Sequence, residues 1–196
     1  MRPRLFPAFL KLAGRPCVVV GAGSVAAGKI TSLLDCGARV TVIAPSACAA
    51  VEQLAANRRI RWLPRHFTEG DLARAFLAVA ATDDAAVNRA VFVEAQNCGI
   101  LCNSVDDPSN CDFYYPAVVR RGPLEIAIST SGESPALAQR IRCEIEESLD
   151  GAVGEWVEDM GEMRRAILAA LPRSDGRRRL LQQLAQWGPW ARKAEP

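Results

Sequence analysis

Residues 16–29 read Pro-Cys-Val-Val-Val-Gly-Ala-Gly-Ser-Val-Ala-Ala-Gly-Lys, a β-branched run that breaks into Gly-x-Gly-x-x-Ala and continues with helical spacing. This order asks for a strand, a tight turn and a helix start in immediate succession, which few folds supply. Gly21 allows the sharp turn, Gly23 leaves the backbone bare to a close neighbour, and Ala26 is small enough for the helix to lie against the strand. A helix N-terminus offers free N–H groups and a partial positive charge to an anion. The pattern therefore predicts a dinucleotide pyrophosphate site on Gly21–Ala26.

The flanking sequence supports a sheet of such units. Cys17–Val20 is expected as the first strand and Ser24–Cys36 as the first helix, with Gly37 ending it. Ala38–Ile43 is a second β-branched strand, followed by Pro45 and a helix over about Ala47–Ala56. Arg59–Leu63 reads as a third strand, Leu72–Ala75 as a helical turn, and Phe76–Ala81 as a buried fourth strand. Asp83 or Asp84 can cap a helix that runs through Asn97, and Ile100–Asn103 gives a fifth strand. Near-continuous apolar strands joined by helices mark a parallel sheet covered on both faces, an α/β fold of Rossmann-like type. Beyond the loop at Asp106–Asn110 the style changes. Phe113–Arg120 and Leu124–Thr130, joined by Arg121-Gly122-Pro123, read as an antiparallel hairpin. Ser134-Pro135 opens a helix to about Leu149 as N-cap and N1. From Ala152 the pattern is helical, broken near Pro172–Gly176 and at Gly188-Pro189.

Bulk properties exclude several classes. The chain has 196 residues, 49% hydrophobic and 23% charged, with a formal charge of +2. That is an ordinary globular composition, and it argues against a nucleic-acid partner. No apolar run approaches the roughly 20 residues of a membrane span, and Met1–Pro7 is basic without a signal-peptide core. Seven scattered cysteines form no Cys-x-x-Cys pair. Cys17, Cys36, Cys102 and Cys143 fall in strand or helix segments, where free cysteine acts as a small hydrophobe. Cys98, Cys102 and Cys111 lack a nearby histidine, His66 being the sole one, so no metal ligands are assigned. Reduced thiols point to a cytoplasmic protein.

The sites are read from the strand ends. The second strand ends Ile43-Ala44-Pro45-Ser46, without the carboxylate that usually reads the ribose, so NAD and NADP are not distinguished there. Ser46 either bonds the ribose or caps the next helix. Thr82-Asp83 lies at the carboxyl edge, where ligands bind in open α/β sheets, and Asp83 serves a ligand or caps a helix. Asp106 ends the Asn103-Ser104-Val105-Asp106 segment at the same edge and is either a base facing the cofactor or a solvated turn residue. Ser129–Ser134 places hydroxyls before a helix start. No histidine is placed to activate a serine, and capping accounts for Ser134, while the helix start could receive a substrate carboxylate.

Six motifs occur together and in order. They are Gly-x-Gly-x-Val-Ala-x-x-Lys at 21–29, Gly37-Ala-x-Val-Thr-Val42, Ala80-Ala-Thr-Asp-Asp84 with Asn88, Asn103-x-Val-Asp106, Phe113-x-x-Pro116-Ala, and Ser129-Thr-x-Gly-x-Ser-Pro-x-Leu-Ala138. Over about residues 5–150 the chain resembles the precorrin-2 dehydrogenase/sirohydrochlorin ferrochelatase family, the N-terminal module of siroheme synthase. The resemblance implies NAD-dependent oxidation of precorrin-2 to sirohydrochlorin, with transient ferrous ion inserted in some members. It places the acid/base role on Asp106 and cofactor contacts on Gly21, Ala22, Gly23, Ser24, Val25, Pro45, Ser46 and Thr82, with Asn103 beside them. Precorrin-2 is a polycarboxylate, and Thr130, Ser131, Ser134, Arg120 and Arg140 are the residues expected to meet it. The family is typically homodimeric, so the expected organisation is an NAD-binding domain over 1–112, a dimerisation hairpin and helix over 113–150, and a helical region over 151–196. Departures from the family pattern are Ala22 in the glycine run and Ser131 before Gly132. A nucleotide-sensing Rossmann module without catalysis is the alternative, against which Asp106 argues because a sensor needs no base.

Overall fold

The computed structural model describes residues 4–186, which divide into two compact units between Tyr114 and Tyr115. The first contains β1 (Pro16–Val20), α1 (Ser24–Asp35), β2 (Arg39–Ile43), α2 (Ala49–Ala56), β3 (Arg61–Leu63), β4 (Leu77–Ala80), α3 (Ala85–Cys98) and β5 (Leu101–Ser104), followed by a 3₁₀ turn at Pro108–Asn110. The strands form one parallel sheet in the order β3-β2-β1-β4-β5. Strand order therefore reverses between β1 and β4, where open α/β sheets leave a crevice at their carboxyl ends.

The apolar runs are continuous because both faces of the sheet are covered. Cys17, Val19, Leu77 and Val79 pack with Ala26, Ile30 and Leu33 of α1 and Val51 of α2. Their neighbours Val18, Val20, Ala78 and Ala80 pack on the other side with Val91 and Ala95 of α3. The period-2 alternation thus divides each strand between two cores. This is the doubly covered parallel sheet that the sequence predicts.

Local chemistry shifts several boundaries. Arg58 lies at φ +55° and the Arg59 N–H bonds back to Leu54 O, so residue 59 closes α2 and the strand begins at Arg61. Ile100 behaves similarly: its N–H bonds Ala95 O after Gly99 turns left-handed at φ +66°, which delays β5 to Leu101. Residues 71–74 form hydrogen-bonded turns and no helix. Cys36 and Cys143 are exposed, whereas Cys17 and Cys102 are fully buried. Cys36 caps the end of α1, past its buried stripe, and Cys143 sits off the α4 face that buries Ala138.

The second unit contains β6 (Ala117–Arg121), β7 (Leu124–Ile128), α4 (Pro135–Ser148), α5 (Val153–Ala170) and α6 (Asp175–Leu184). β6 and β7 pair antiparallel, with Arg121 opposite Leu124 closing a Gly122-Pro123 turn. Gly122 has φ +53°, as a two-residue hairpin turn requires at its first position. A β-carbon there would come 3.2 Å from Gly154 Cα, so the turn rests directly on the start of α5. β6 begins only at Ala117, after Pro116, which has no N–H for a ladder. α4 packs against β6, and Ser134 caps it by accepting the Leu137 N–H. The expected break at Gly188-Pro189 lies outside the described residues.

Candidate functional site

The glycine loop leaves β1 at the strand-order reversal. The Gly21 N–H donates to Ile43 O of β2, and Ala81 N–H donates to Val20 O, so neighbouring strands hold the turn from both sides. Gly21 has φ +109°, and a β-carbon there would lie 2.1 Å from Ala81 O. Only glycine fits. Ala22 is buried in the core, and its carbonyl accepts the Cys48 N–H, which ties the loop to the start of α2. The Ala22 methyl therefore costs the turn nothing. Gly23 is the N-cap of α1 and supplies no side-chain cap. A β-carbon at Gly23 would meet nothing within 4 Å.

Exposed Ser24 and Val25 follow on the first helical turn. A bare glycine in open space before an uncapped helix start is a cradle of the size and polarity that a pyrophosphate needs. The residues present fit a dinucleotide.

Pro45 and Ser46 lie exposed just past β2. Ser46 does not cap α2: the N-cap is Cys48, and no side chain accepts from the helix start. Capping therefore does not account for Ser46. The same applies to Asp83, because Asp84 caps α3 by accepting from Ala86 and Val87 N–H. Such a cap contributes about 1 kcal/mol.

Thr82, just past β4, is fixed by Asn88. The Asn88 Oδ1 accepts the Thr82 N–H at 3.1 Å and its hydroxyl at 2.8 Å, while Asn88 Nδ2 donates to Thr82 O at 2.9 Å. This closed ring holds the backbone at the mouth of the crevice, with the Thr82 hydroxyl turned to Asn88 and Asp84 O.

Asp106 sits exposed at the apex of the turn after β5, closed by Asp107 N–H to Ser104 O. Its φ is +60°, a left-handed conformation that aspartate tolerates better than most residues but that costs energy. The residues that follow it are tied down. Asp107 accepts from the Ser109 N–H and hydroxyl and from the Asn110 amide. Those bonds, the Ser109 hydroxyl foremost, keep the Asp107 carboxyl below its ordinary range. Buried Asn110 in turn accepts from Arg89 of α3. Asn103 lies one strand position before buried Ser104, and its Nδ2 donates to Phe113 O at 2.8 Å and to Cys111 Sγ. That amide group anchors the returning chain.

Lys29 joins the two halves of this edge. It stands half-buried on α1, between the buried positions Ala26 and Leu33. Burial pushes its ammonium below the ordinary range, and the Asp106 carboxylate opposes that shift. The cofactor-loop helix and the strand-end aspartate therefore share an electrostatic field. Lys29 closes the Gly-x-Gly-x-Val-Ala-x-x-Lys motif, whose spacing alone assigns it no role. Nearly as silent in the sequence is Glu94, a buried carboxylate on α3 that accepts the Gly70 and Leu72 N–H groups and shapes the turn before β4. Its spacing from Val91 along α3 is the one local sign of that burial.

The first unit thus gathers Gly21–Val25, Pro45, Ser46, Thr82, Asn103 and Asp106 at the carboxyl edge of one sheet. Thr130, Ser131, Ser134, Arg120 and Arg140 belong to the second unit. There Thr130 and Ser134 bond each other reciprocally, and Ser131 has φ +54°. Arg120 pairs across the hairpin with Glu125, and Arg140 pairs along α4 with Glu144.

Comparison with known proteins adds three findings. A family model described as putative NAD(P)-binding matches residues 8–117, and one described as sirohaem biosynthesis protein central matches residues 121–148. A siroheme synthase of Neisseria meningitidis serogroup C (strain 053442) is 44% identical over 174 residues, covering 89% of this chain and 36% of that protein. The siroheme synthase of Methylococcus capsulatus (strain ATCC 33009 / NCIMB 11132 / Bath) is 42% identical over 188 residues, or 96% of this chain and 40% of that protein. The chain therefore spans well under half the length of these relatives. Among solved structures, SirC, precorrin-2 dehydrogenase, superposes with a TM-score of 0.73 at 29% identity, covering 93% of this chain and all of that one.

Proposed function

We propose a function from one premise: the chain belongs to the putative NAD(P)-binding family whose model spans residues 8–117. On that premise it is an NAD-dependent oxidoreductase that converts precorrin-2 to sirohydrochlorin in siroheme biosynthesis. The observation that carries this reading is Asp106, a carboxylate held in a left-handed turn at the same sheet edge as the bare Gly23 helix start. Its substrate side is supported by the likeness to SirC, precorrin-2 dehydrogenase, along the whole of that chain.

In this mechanism the α1 N-terminus and the Gly21–Val25 backbone hold the pyrophosphate. Ser46 is the group available to the ribose where a carboxylate is missing. NAD supplies the hydride acceptor. The precorrin-2 carbon skeleton gives up a hydride, and the Asp106 carboxylate takes a proton released as the new double bond forms. Lys29 keeps a positive charge beside that carboxylate. Thr130, Ser131, Ser134, Arg120 and Arg140 are assigned to the substrate's carboxylates. The same aspartate would accept pyrrole protons if ferrous ion is inserted as a second substrate.

The cofactor unit, the hairpin with α4 and the helical tail then divide the work as cofactor binding, homodimerisation and a helical appendage. Support for the dimer comes from the two-stranded β6–β7 sheet, which pairs with no third strand among the described residues, and from exposed Leu137 on α4. Seven free cysteines support a cytoplasmic setting, and no helix among the described residues is long and apolar enough to cross a membrane.

The test is anaerobic precorrin-2 with NAD, followed by the absorbance of NADH and of sirohydrochlorin, with and without ferrous ion. Asp106→Ala should lower turnover by about 100-fold or more while leaving NAD affinity within twofold. A folded protein that binds NAD and yields no NADH would instead be a nucleotide sensor. Sedimentation of the purified chain tests the dimer.

A further inference from the structure

The second unit holds a groove between the end of α5, the 171–174 connection and α6, with a cavity of about 820 Å³. Arg164, Arg173, Arg177 and Arg178 line it around a floor that includes Leu168 and Leu181. Three of these four arginines differ from most others of this unit. Arg120, Arg121, Arg140, Arg142, Arg165 and Arg178 each stand within 4.0 Å of a carboxylate. Among the described residues, Arg164, Arg173 and Arg177 pair with none. The one acid in the lining, Asp175, is engaged by Arg178, and Arg177 donates only to Leu171 O. Three uncompensated guanidinium groups therefore face one cavity.

The floor is unusual as well. Leu181 of α6 is only half-buried, and Leu168 of α5 is 36% exposed. A cationic rim over a partly uncovered apolar floor repels itself and wets leucine. A ligand that relieves both must carry several carboxylates on an apolar body, because guanidinium forks match carboxylates while leucine matches hydrocarbon.

We propose that this groove is a second binding site for a polycarboxylate tetrapyrrole, lined by none of the residues assigned to the oxidation. The assignment rests on the function proposed above, since precorrin-2 and sirohydrochlorin each carry eight carboxylates on a macrocycle. A site built from these other residues lets the chain hold substrate before oxidation or product after it, with no bond made or broken there.

Uroporphyrin, a fluorescent octacarboxylate porphyrin, is the probe, used by equilibrium dialysis against the full chain with NAD present. The wild type should bind one more equivalent than the Arg173→Gln/Arg177→Gln variant, and coproporphyrin, with four carboxylates, should bind that equivalent at least tenfold more weakly. Leu181→Glu, which puts a negative charge on the floor, should also remove it. Precorrin-2 turnover at saturating substrate should stay within twofold in both variants. Unchanged stoichiometry in the variants overturns the site, and so does displacement of this equivalent by ATP at equal concentration, which would make it a general anion groove. Failure of the oxidation reading would appear differently: no NADH from the wild type, with the variant-sensitive equivalent still present.

Discussion

At Gly21 an added β-carbon would lie 2.1 Å from Ala81 O, whereas at Gly23 it would meet nothing within 4 Å. The two glycines are two residues apart and answer to different demands. Gly21→Ala should destabilise the first unit by more than about 3 kcal/mol, since it combines a backbone clash with a positive φ. Thermal melting checks this. Gly23→Val should cost no more than about 1 kcal/mol, because its site is open and the only penalty is a poorer N-cap. It should nonetheless weaken NAD binding by at least about tenfold, because the branched side chain fills the phosphate approach. Unaltered NAD affinity in that variant would remove the pyrophosphate from the loop. Both glycines were legible in the sequence because the motif is local: residues 21–26 meet each other whatever the rest of the chain does. Ser46 was half-legible, since its place after β2 follows from the strand, but the true cap two residues later depends on how Cys48 N–H reaches Ala22 O.

The elements show where local reading stops. β1, β2, β4 and α1 follow from apolar runs and periodicity. The loop that carries Asp106 is set by a contact far apart in sequence, Arg89 of α3 to Asn110, which in turn bonds Asp107 within the loop. Nothing in the order Asp-Asp-Pro-Ser-Asn announces that Asn110 is buried or that an arginine on the preceding helix reaches it. The same holds for Glu94, whose carboxylate accepts from the backbone N–H groups of residues 70 and 72. If this chain of bonds is what holds Asp106 at φ +60°, Asn110→Ala should lower kcat by about tenfold, equivalent to 1.4 kcal/mol of transition-state stabilisation. NAD affinity, set mainly by the glycine loop after β1, should stay within twofold. Steady-state kinetics with direct NAD titration separates the two, and a parallel loss of NAD binding would show that Asn110 supports the fold at large and not the aspartate.

For the whole molecule, the cysteines report on the two units separately. Cys17 and Cys102 are fully buried in the first unit, where burial pushes their thiols up to about 11 and about 12. The fold therefore favours the protonated thiol. That contribution is complete below the unfolded thiol's pKa, near 8.5, and is lost as pH rises from there toward 11. The first unit should melt lower at pH 10 than at pH 8, and Cys102→Ala should reduce the difference. Cys143, on α4 of the second unit, is exposed. At pH 8 a thiol reagent should modify Cys143 at once, but reach Cys17 and Cys102 only through unfolding of the first unit. A ligand that binds the folded first unit slows that route by the factor 1 + [L]/Kd. NAD at 100 times its Kd should thus slow labelling of Cys17 and Cys102 about 100-fold, equivalent to about 2.7 kcal/mol, with Cys143 labelled as fast as before. Peptide mapping by mass spectrometry reads all three in one experiment. Protection of Cys143 to the same degree would place the cofactor's stabilisation beyond the sheet unit, and no protection of Cys17 or Cys102 would take NAD away from it.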